Sequence, residues 1–73
     1  MLIINLKDLM VKKGAREGKR ISYKDIFETT QIRVPTLSRI ANDQKYNISR
    51  EHIEKLCIYF DVTVDQLISI LPD

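Results

Sequence analysis

The first apolar residues that recur at helical spacing are Leu6, Leu9 and Met10. They stand at positions i, i+3 and i+4 with charged residues between them, which predicts a short amphipathic helix that ends at Gly14. Residues 14–20 contain two glycines and four charged side chains, with no apolar periodicity. We therefore expect this segment to be a flexible basic loop.

Two further helices are predicted between residues 22 and 42. Ser22 is suited to cap the first of them. The Asp25 carboxylate, three positions on, can accept a hydrogen bond from the Ser22 amide and faces the positive end of the helix. Weak helix formers at residues 29–31 break the pattern, and Pro35 has the fixed backbone angle favoured in a first helical turn. The next helix therefore covers about residues 35–41, with Leu37, Ile40 and Ala41 on one side and Pro35, Ser38, Arg39 and Asn42 on the other.

The fourth helix has the clearest pattern. Ser49 is its predicted N-cap, and Ile48 and Ile53 flank that cap as a hydrophobic staple. The apolar stripe begun by Ile53 continues at helical spacing through Leu56, Cys57 and Phe60.

A fifth helix is predicted over residues 64–70, where Thr63 and Gln66 form a capping box. Five short helices joined by turns, with no alternating stretch long enough for a sheet, indicate an all-α domain. The apolar residues 2–4 are the exception to this pattern. They form either a β-like arm, which lies on the core or pairs with its twin in a dimer, or a tail that packs against the fifth helix.

The length of 73 residues indicates one domain spanning residues 1–73. A chain of this size buries only about 60% of the surface that its unfolded form exposes, which excludes large catalytic scaffolds. No stretch approaches the ~18–20 apolar residues of a membrane span, and the first residues lack the basic lead of a signal peptide. We therefore expect a cytoplasmic protein without membrane association.

The sequence offers little for catalysis or metal binding. A single cysteine, Cys57, has no disulfide partner, and with only His52 it cannot form a Cys/His metal cage. We find no nucleotide-binding loop, paired-carboxylate site or nucleophile triad. We therefore expect a protein that is not an enzyme and that takes no metal, cofactor or small-molecule ligand.

The net charge of +2 conceals an uneven distribution. Residues 1–40 hold nine basic and four acidic side chains, a net charge of +5, whereas residues 41–73 hold three basic and six acidic ones, a net charge of −3. Such a division in a small domain is typical of a protein that meets a polyanion with one face.

Residues 22–42, two short helices separated by a tight turn, resemble the helix-turn-helix of the Cro and phage-repressor (XRE-type) DNA-binding family. The resemblance covers nearly the whole chain. Its ordered core and cap positions are Lys24-Asp25-Ile26, Ile32, Thr36-Leu37-Ser38-Arg39-Ile40, Ile48-Ser49, Ile53-Glu54-Lys55-Leu56-Cys57, Phe60-Asp61-Val62 and Asp65-Gln66-Leu67. The resemblance implies a compact five-helix Cro/repressor-like fold in which residues 35–41 belong to the recognition helix.

Three features depart from the family pattern. Phe27 stands where the family usually has a small residue, so it either widens the crossing of the two helices or turns toward another pocket. Gln31 stands where the family commonly has glycine, at a left-handed position that costs a residue with a Cβ about 1 kcal/mol. The basic loop of residues 15–20 is longer than the usual link between the first two helices.

The resemblance implies roles for residues on and around the recognition helix, which lies in the major groove in this family. Arg39 is the best candidate for reading a base, because its planar fork matches the O6 and N7 acceptors of guanine. The base-reading candidates are Val34, Pro35, Ser38 and Arg39. The candidates for phosphate contacts are Lys19, Arg20, Tyr23, Lys24, Arg33, Thr36, Asn42, Lys45 and Tyr46.

Two functions follow from these features. The first is sequence-specific binding of double-stranded DNA by a transcriptional repressor, which acts as a homodimer on two half-sites and is nucleoid-associated when bound. The second is a protein-interaction module, such as an antitoxin or a regulatory adaptor, that uses the same fold. Phe27, Gln31 and the apolar residues 2–4 favour this alternative.

Overall fold

Five helices and a two-stranded sheet make up the computed structural model, which describes residues 1–72. In chain order the elements are β1 (Leu2–Ile4), α1 (Leu6–Glu17), α2 (Tyr23–Thr30), α3 (Val34–Asn42), α4 (Arg50–Phe60), α5 (Val64–Leu67) and β2 (Ile68–Ile70). None of the helices in this part of the chain has the length and apolar character that a membrane crossing needs.

The core is built from the apolar stripes of all five helices. Leu6 of α1, Ile26 of α2, Leu37 of α3, Leu56 of α4 and Leu67 of α5 are each fully buried. Burying a side chain of this size contributes ~1.5–3 kcal/mol, so these shared contacts hold helices together that are individually too short to be stable. The predicted five-helix fold is confirmed.

The predicted caps of α4 and α5 are present. Ser49 Oγ accepts a hydrogen bond from the His52 amide at 3.1 Å, and Gln66 Oε1 accepts one from the Thr63 amide at 3.0 Å. Helix α4 ends at Asp61, whose φ of 56° is left-handed. These caps fix α4 and α5 at a tight corner, with Leu56 and Leu67 both in the core.

Helix α1 is longer than the sequence predicts, because Gly14 lies inside it. The helix continues to Glu17 and ends at Gly18, whose φ of 68° is left-handed. The predicted basic loop is therefore shorter, and residues 15–17 are helical. A Cβ on Gly14 would lie 2.5 Å from the carbonyl oxygen of Lys19. Gly14 thus allows the chain that returns from Gly18 to pass close against the helix.

The C-terminal end of the fifth helix is a second correction. The prediction extended this helix to residue 70, but α5 stops at Leu67 and residues 68–70 form β2. Strand β2 pairs antiparallel with β1, with Leu2 opposite Ile70, Ile3 opposite Ser69 and Ile4 opposite Ile68. The β-branched residues of both strands suit this pairing, which the helical spacing of residues 64–70 concealed. The apolar residues 2–4 thus form a β-like arm that pairs within the chain.

Replacing Gly14 with alanine tests the close approach at Lys19. Alanine is the better helix former by about 1 kcal/mol, but its Cβ would force the Lys19 carbonyl to shift. We expect Gly14→Ala to lower the free energy of unfolding by about 1–2 kcal/mol, measured by urea denaturation.

Ala15→Gly is the matched control, because residue 15 is exposed in the same helix turn. This substitution should lower the free energy of unfolding by only the ~1 kcal/mol that separates glycine from alanine in helix propensity. A Gly14→Ala variant more stable than the native chain would contradict a structural role for the glycine.

Candidate nucleic-acid interface

The start of α2 is fixed by a capping box. Ser22 Oγ accepts a hydrogen bond from the Asp25 amide at 3.2 Å, and Asp25 Oδ2 accepts bonds from the Ser22 amide at 2.8 Å and the Ser22 hydroxyl at 3.0 Å. The backbone bond from Ser22, followed by the side-chain bond from the same residue, holds the pKa of Asp25 below its ordinary value. The predicted cap is confirmed, and it places Tyr23 and Lys24 in the first turn of α2.

The turn between α2 and α3 depends on Thr30 and Gln31. Thr30 is buried, and its hydroxyl donates to the Ile26 carbonyl at 2.7 Å while accepting from the Ile32 amide at 3.2 Å. Gln31 has the left-handed backbone expected at this position, with φ 64°. Its side-chain amide lies 3.3 Å from the Phe27 carbonyl and 3.4 Å from that of Glu28, so it partly satisfies the free end of α2.

Phe27 turns outward. Its side chain is 36% exposed, and it is absent from the cluster of residues that form the core. The large ring therefore does not separate α2 from α3, which pack through Ile26 and Leu37. The structure shows neither of the two expected arrangements, because the ring lies at the surface instead of widening the helix crossing or entering another pocket.

Helix α3 buries one face and exposes the other. Leu37 and Ile40 are in the core, whereas Arg33, Val34, Pro35 and Arg39 are exposed. The helix includes one residue more at each end than predicted, because Arg33 is its N-cap with an extended backbone and Pro35 lies in the first turn. The base-reading candidates therefore share the solvent side of α3, although Ser38 is half-buried.

Lys19, Arg20 and Tyr23, three of the predicted phosphate contacts, line one groove. This α1–α2 groove has a volume of about 810 Å³ and an apolar floor that includes Met10 and Ile21. Lys19 and Arg20 are exposed, whereas the Tyr23 ring packs against the core. The structure thus places the short basic loop beside the first turn of α2.

Asn42, Lys45 and Tyr46 lie at and after the end of α3. Asn42 Nδ2 donates to the Ser38 carbonyl at 2.9 Å, so one of its donors is used within the helix. Asp43 Oδ1 accepts from the Lys45 amide at 3.0 Å, which fixes the turn and leaves the Lys45 side chain exposed. Tyr46 is half-buried against the core.

Lys7 is a candidate that the sequence did not identify. It lies on α1, outside the helix-turn-helix, but it lines the α1–α2 groove together with Tyr23. It also lines a second groove of about 230 Å³, between β1 and the end of α3, together with Asn42 and Tyr46. Lys7 therefore bridges the two groups of predicted phosphate contacts, a position that spacing along the sequence cannot reveal.

Three lysines of α1 and α4 are neutralised within the chain. Lys12 lies 3.1 Å from Asp8 and Lys55 lies 3.1 Å from Glu51, each four residues apart on one helix. Lys13 lies 2.7 Å from Glu17, and this hydrogen bond holds the pKa of Glu17 below its usual value.

The basic residues around α2 and α3 differ from these lysines. Lys19 Nζ lies 3.9 Å from Glu17 Oε1, which is a longer and weaker contact than the three ion pairs above. Within residues 1–72 no carboxylate lies within 4.0 Å of the other eight cations. Three of these eight, Lys7, Arg16 and Arg50, lie on α1 and α4. The other five lie around α2 and α3 and are Arg20, Lys24, Arg33, Arg39 and Lys45. We call these five residues the unpaired cations.

Cys57 has a structural role in α4. Burial raises the pKa of the Cys57 thiol, so it stays protonated at neutral pH and packs with the apolar stripe of α4. His52 lies in the first turn of α4, where its amide is part of the cap. The described residues contain no group of three or more His, Cys, Asp or Glu that could hold a metal ion.

Comparison with known families agrees with this geometry. A family model described as the Cro/C1-type HTH DNA-binding domain matches residues 5–73. The match covers α1 to β2 and therefore includes the unpaired cations. No curated protein sequence matches the chain.

The capping box predicts how stability responds to acid. Because the pKa of Asp25 is lower in the folded chain than its ordinary value of 3.8, the stability that its ionisation supplies is present above that value. It is lost as the pH falls through the lower, folded value. We expect the thermal midpoint to fall below about pH 4, followed by circular dichroism.

Asp25→Asn is the matched variant, since its amide oxygen still accepts a bond but does not titrate. It should be less stable than the native chain at pH 7 and should lose less stability on acidification. An identical pH dependence in the two proteins would contradict the assigned role of Asp25.

Proposed function

This chain belongs to the Cro/C1-type helix-turn-helix DNA-binding family, and from that premise we propose that it is a transcriptional repressor that binds a specific duplex sequence. In the proposed complex, α3 enters the major groove and α2 crosses the DNA backbone. The protein acts as a homodimer on two half-sites about one helical turn apart, in the cytoplasm at the nucleoid.

The unpaired cations are the observation that supports this proposal. Ion pairs neutralise three lysines on α1 and α4, whereas the five unpaired cations around α2 and α3 keep their charge, as do Lys7, Arg16 and Arg50. A polyanion such as DNA supplies the opposite charge at regular spacing, and binding releases the counterions of the DNA. The same segment exposes apolar Val34 and Pro35, which suit contacts with thymine methyl groups or sugars.

We assign base reading to Arg39, Ser38, Val34 and Pro35. Arg39 is exposed and carries no ion pair within the described residues, so its guanidinium is available for a bidentate contact with guanine. Ser38 can serve any base, and its half-burial restricts it to a contact close to the helix axis. Asn42, which is bonded to the Ser38 carbonyl, orients this part of α3.

We assign phosphate contacts to both ends of the motif. Lys24 and Tyr23 lie in the first turn of α2, and Arg33 precedes α3, whose N-terminal amides also favour an anion near Thr36. Lys19 and Arg20 extend the N-terminal edge of the motif. The C-terminal edge is extended by Asn42, Lys45 and Tyr46. We add Lys7, which lies between the two edges.

Selection from a random duplex pool at two salt concentrations tests the proposal. We expect one sequence motif to be enriched. If each subunit neutralises about four phosphates, log K per subunit should fall by ~3.6 for each tenfold rise in salt. Equal binding to all duplexes at physiological salt would overturn sequence-specific recognition. A stoichiometric protein partner, without salt-dependent DNA affinity, would favour a protein-interaction module instead.

Arg39→Ala separates base reading from general charge. We expect it to weaken binding to the selected site by about 1–3 kcal/mol, which is about fivefold to 160-fold, and to relax the sequence preference at one position. The measurement is fluorescence anisotropy on the selected duplex and on single-base variants of it.

The control for this variant is Arg16→Ala. It removes the same charge from α1, where Arg16 lies 3.5 Å from the Phe60 carbonyl. The control should leave the ranking of the duplexes unchanged. If Arg39→Ala weakens binding to every duplex equally, Arg39 contacts a phosphate and not a base.

A further inference from the structure

One wall of the α1–α2 groove is a single face of α1. Its residues stand at positions i, i+3, i+4, i+7 and i+8 of the helix and are Lys7, Met10, Val11, Gly14 and Ala15. The other wall is the segment 19–23, which passes against Gly14 through the Lys19 carbonyl and the Ile21 side chain. The groove therefore runs along two turns of α1.

The middle of the groove is apolar and open to solvent. Ile21 is buried and Met10 is half-buried, whereas Val11 is 71% exposed. A single exposed valine is ordinary on a protein surface, but Val11 adjoins Met10 in a concave site. This apolar floor is therefore accessible to a partner along its outer side.

Cations stand at both ends of the apolar floor. Lys7 lies at one end, and Lys19 lies beside Gly14 at the other, followed by Arg20. The helical rise separates residues 7 and 14 by roughly 10 Å. Among residues 1–72, the side chains that line the groove include no carboxylate.

The carboxylates that contact lining residues are already engaged. Glu17 pairs with Lys13 at 2.7 Å and makes only the longer contact of 3.9 Å with Lys19. Asp25 accepts hydrogen bonds from the amide and the hydroxyl of Ser22. The positive charge at the two ends of the groove is thus left for another molecule.

The arrangement selects among the possible occupants. DNA phosphates match the cations but leave Met10 and Val11 uncovered. A small amphipathic molecule would remain exposed in an open groove, whereas small-molecule sites bury about 70–90% of their ligand. A helix of a partner protein has its own solvent-facing side, and two acidic residues seven positions apart with apolar residues between them repeat the spacing along α1.

We propose that the α1–α2 groove binds an acidic amphipathic helix of another protein, which thereby displaces DNA. The two acids pair with Lys7 at one end and with Lys19 or Arg20 at the other, and the apolar residues cover Met10 and Val11. The three cations are also phosphate contacts of the proposed function, so partner and DNA compete for them. The docking surface stands without that function, whereas the competition rests on it.

A synthetic helical peptide tests the surface. The probe is an alanine- and glutamine-rich peptide, blocked at both ends, with glutamate at its positions 5 and 12 and leucine at its positions 8 and 9. It is titrated into the ¹⁵N-labelled full chain and followed by NMR. We expect the amide shifts to concentrate in residues 7–23.

The control peptide has the same composition and charge, but its leucines stand at positions 7 and 10, on the opposite side of the helix. It should bind at least tenfold more weakly. The docking surface is overturned if the probe causes no shifts up to about 1 mM, if the shifts lie elsewhere, or if the two peptides bind equally.

Two variants test the floor and the rim of the groove. Val11→Gln should weaken the probe at least fivefold, whereas Ile58→Gln is its matched control, because Ile58 on α4 is 73% exposed. Arg20→Gln should weaken the probe at least threefold, and the control is Arg50→Gln, at an exposed cation of α4. Circular dichroism verifies that each variant folds. Native affinity in the folded Val11→Gln variant would remove the apolar contact and with it the proposal.

Other occupants have their own outcomes in the same measurement. Decanoate is titrated in place of the peptide, and the chain alone is compared at about 50 and 500 µM. If decanoate shifts these amides and the peptide does not, the groove takes a small amphiphile and the proposal is wrong. Shifts of the same amides on concentrating the chain alone would assign the groove to a second copy.

Competition with DNA is measured by the anisotropy of a labelled half-site duplex. The probe should release the duplex from the native chain, and Val11→Gln should need at least fivefold more peptide while binding the duplex normally. A probe that fills the groove without releasing the duplex overturns the competition. If the chain binds no duplex, the proposed function fails, while the NMR titration still decides the docking surface.

Discussion

The buried hydroxyl of Thr30 fixes the start of the turn between the two helices on which the candidate interface depends. It accepts from the Ile32 amide in the turn and donates to the Ile26 carbonyl of α2, so it links the turn to the end of α2. A buried polar group without a partner costs ~1–3 kcal/mol, which makes this arrangement much more favourable than a turn without the hydroxyl. With the turn fixed, Leu37 enters the core and the opposite side of α3 faces outward.

The left-handed position in the turn is occupied by a residue other than glycine. Gln31 occupies a backbone conformation that favours glycine, and its side chain offsets part of that cost through the last carbonyls of α2. The sequence predicted the left-handed position from the family pattern. It did not predict the role of Thr30, because a threonine near a helix end indicates a weak helix former and its burial depends on α3.

Local signals predicted the helices better than their ends. The caps at Ser22, Ser49 and Thr63 were predictable because the capping residue and its partner are three positions apart. Gly14 and the segment after Leu67 were not, since both depend on distant backbone. Gly14 is required by the approach of Lys19, and Ile68–Ile70 becomes a strand because Leu2–Ile4 pairs with it. Likewise, the position of Lys7 beside Tyr23 and Asn42 is a consequence of packing alone.

The charge on the candidate interface follows from how the chain uses its carboxylates. Asp25 and Asp43 are close in sequence to basic residues of the motif, but each binds backbone amides. Asp25 caps α2, and Asp43 fixes the turn before Lys45. On α1 and α4, where the caps need no such carboxylate, Asp8 and Glu51 instead neutralise lysines. The bonds that shape the helix-turn-helix therefore also leave Lys24, Arg39 and Lys45 with uncompensated charge, so that the local folding of the motif prepares it for an anionic partner.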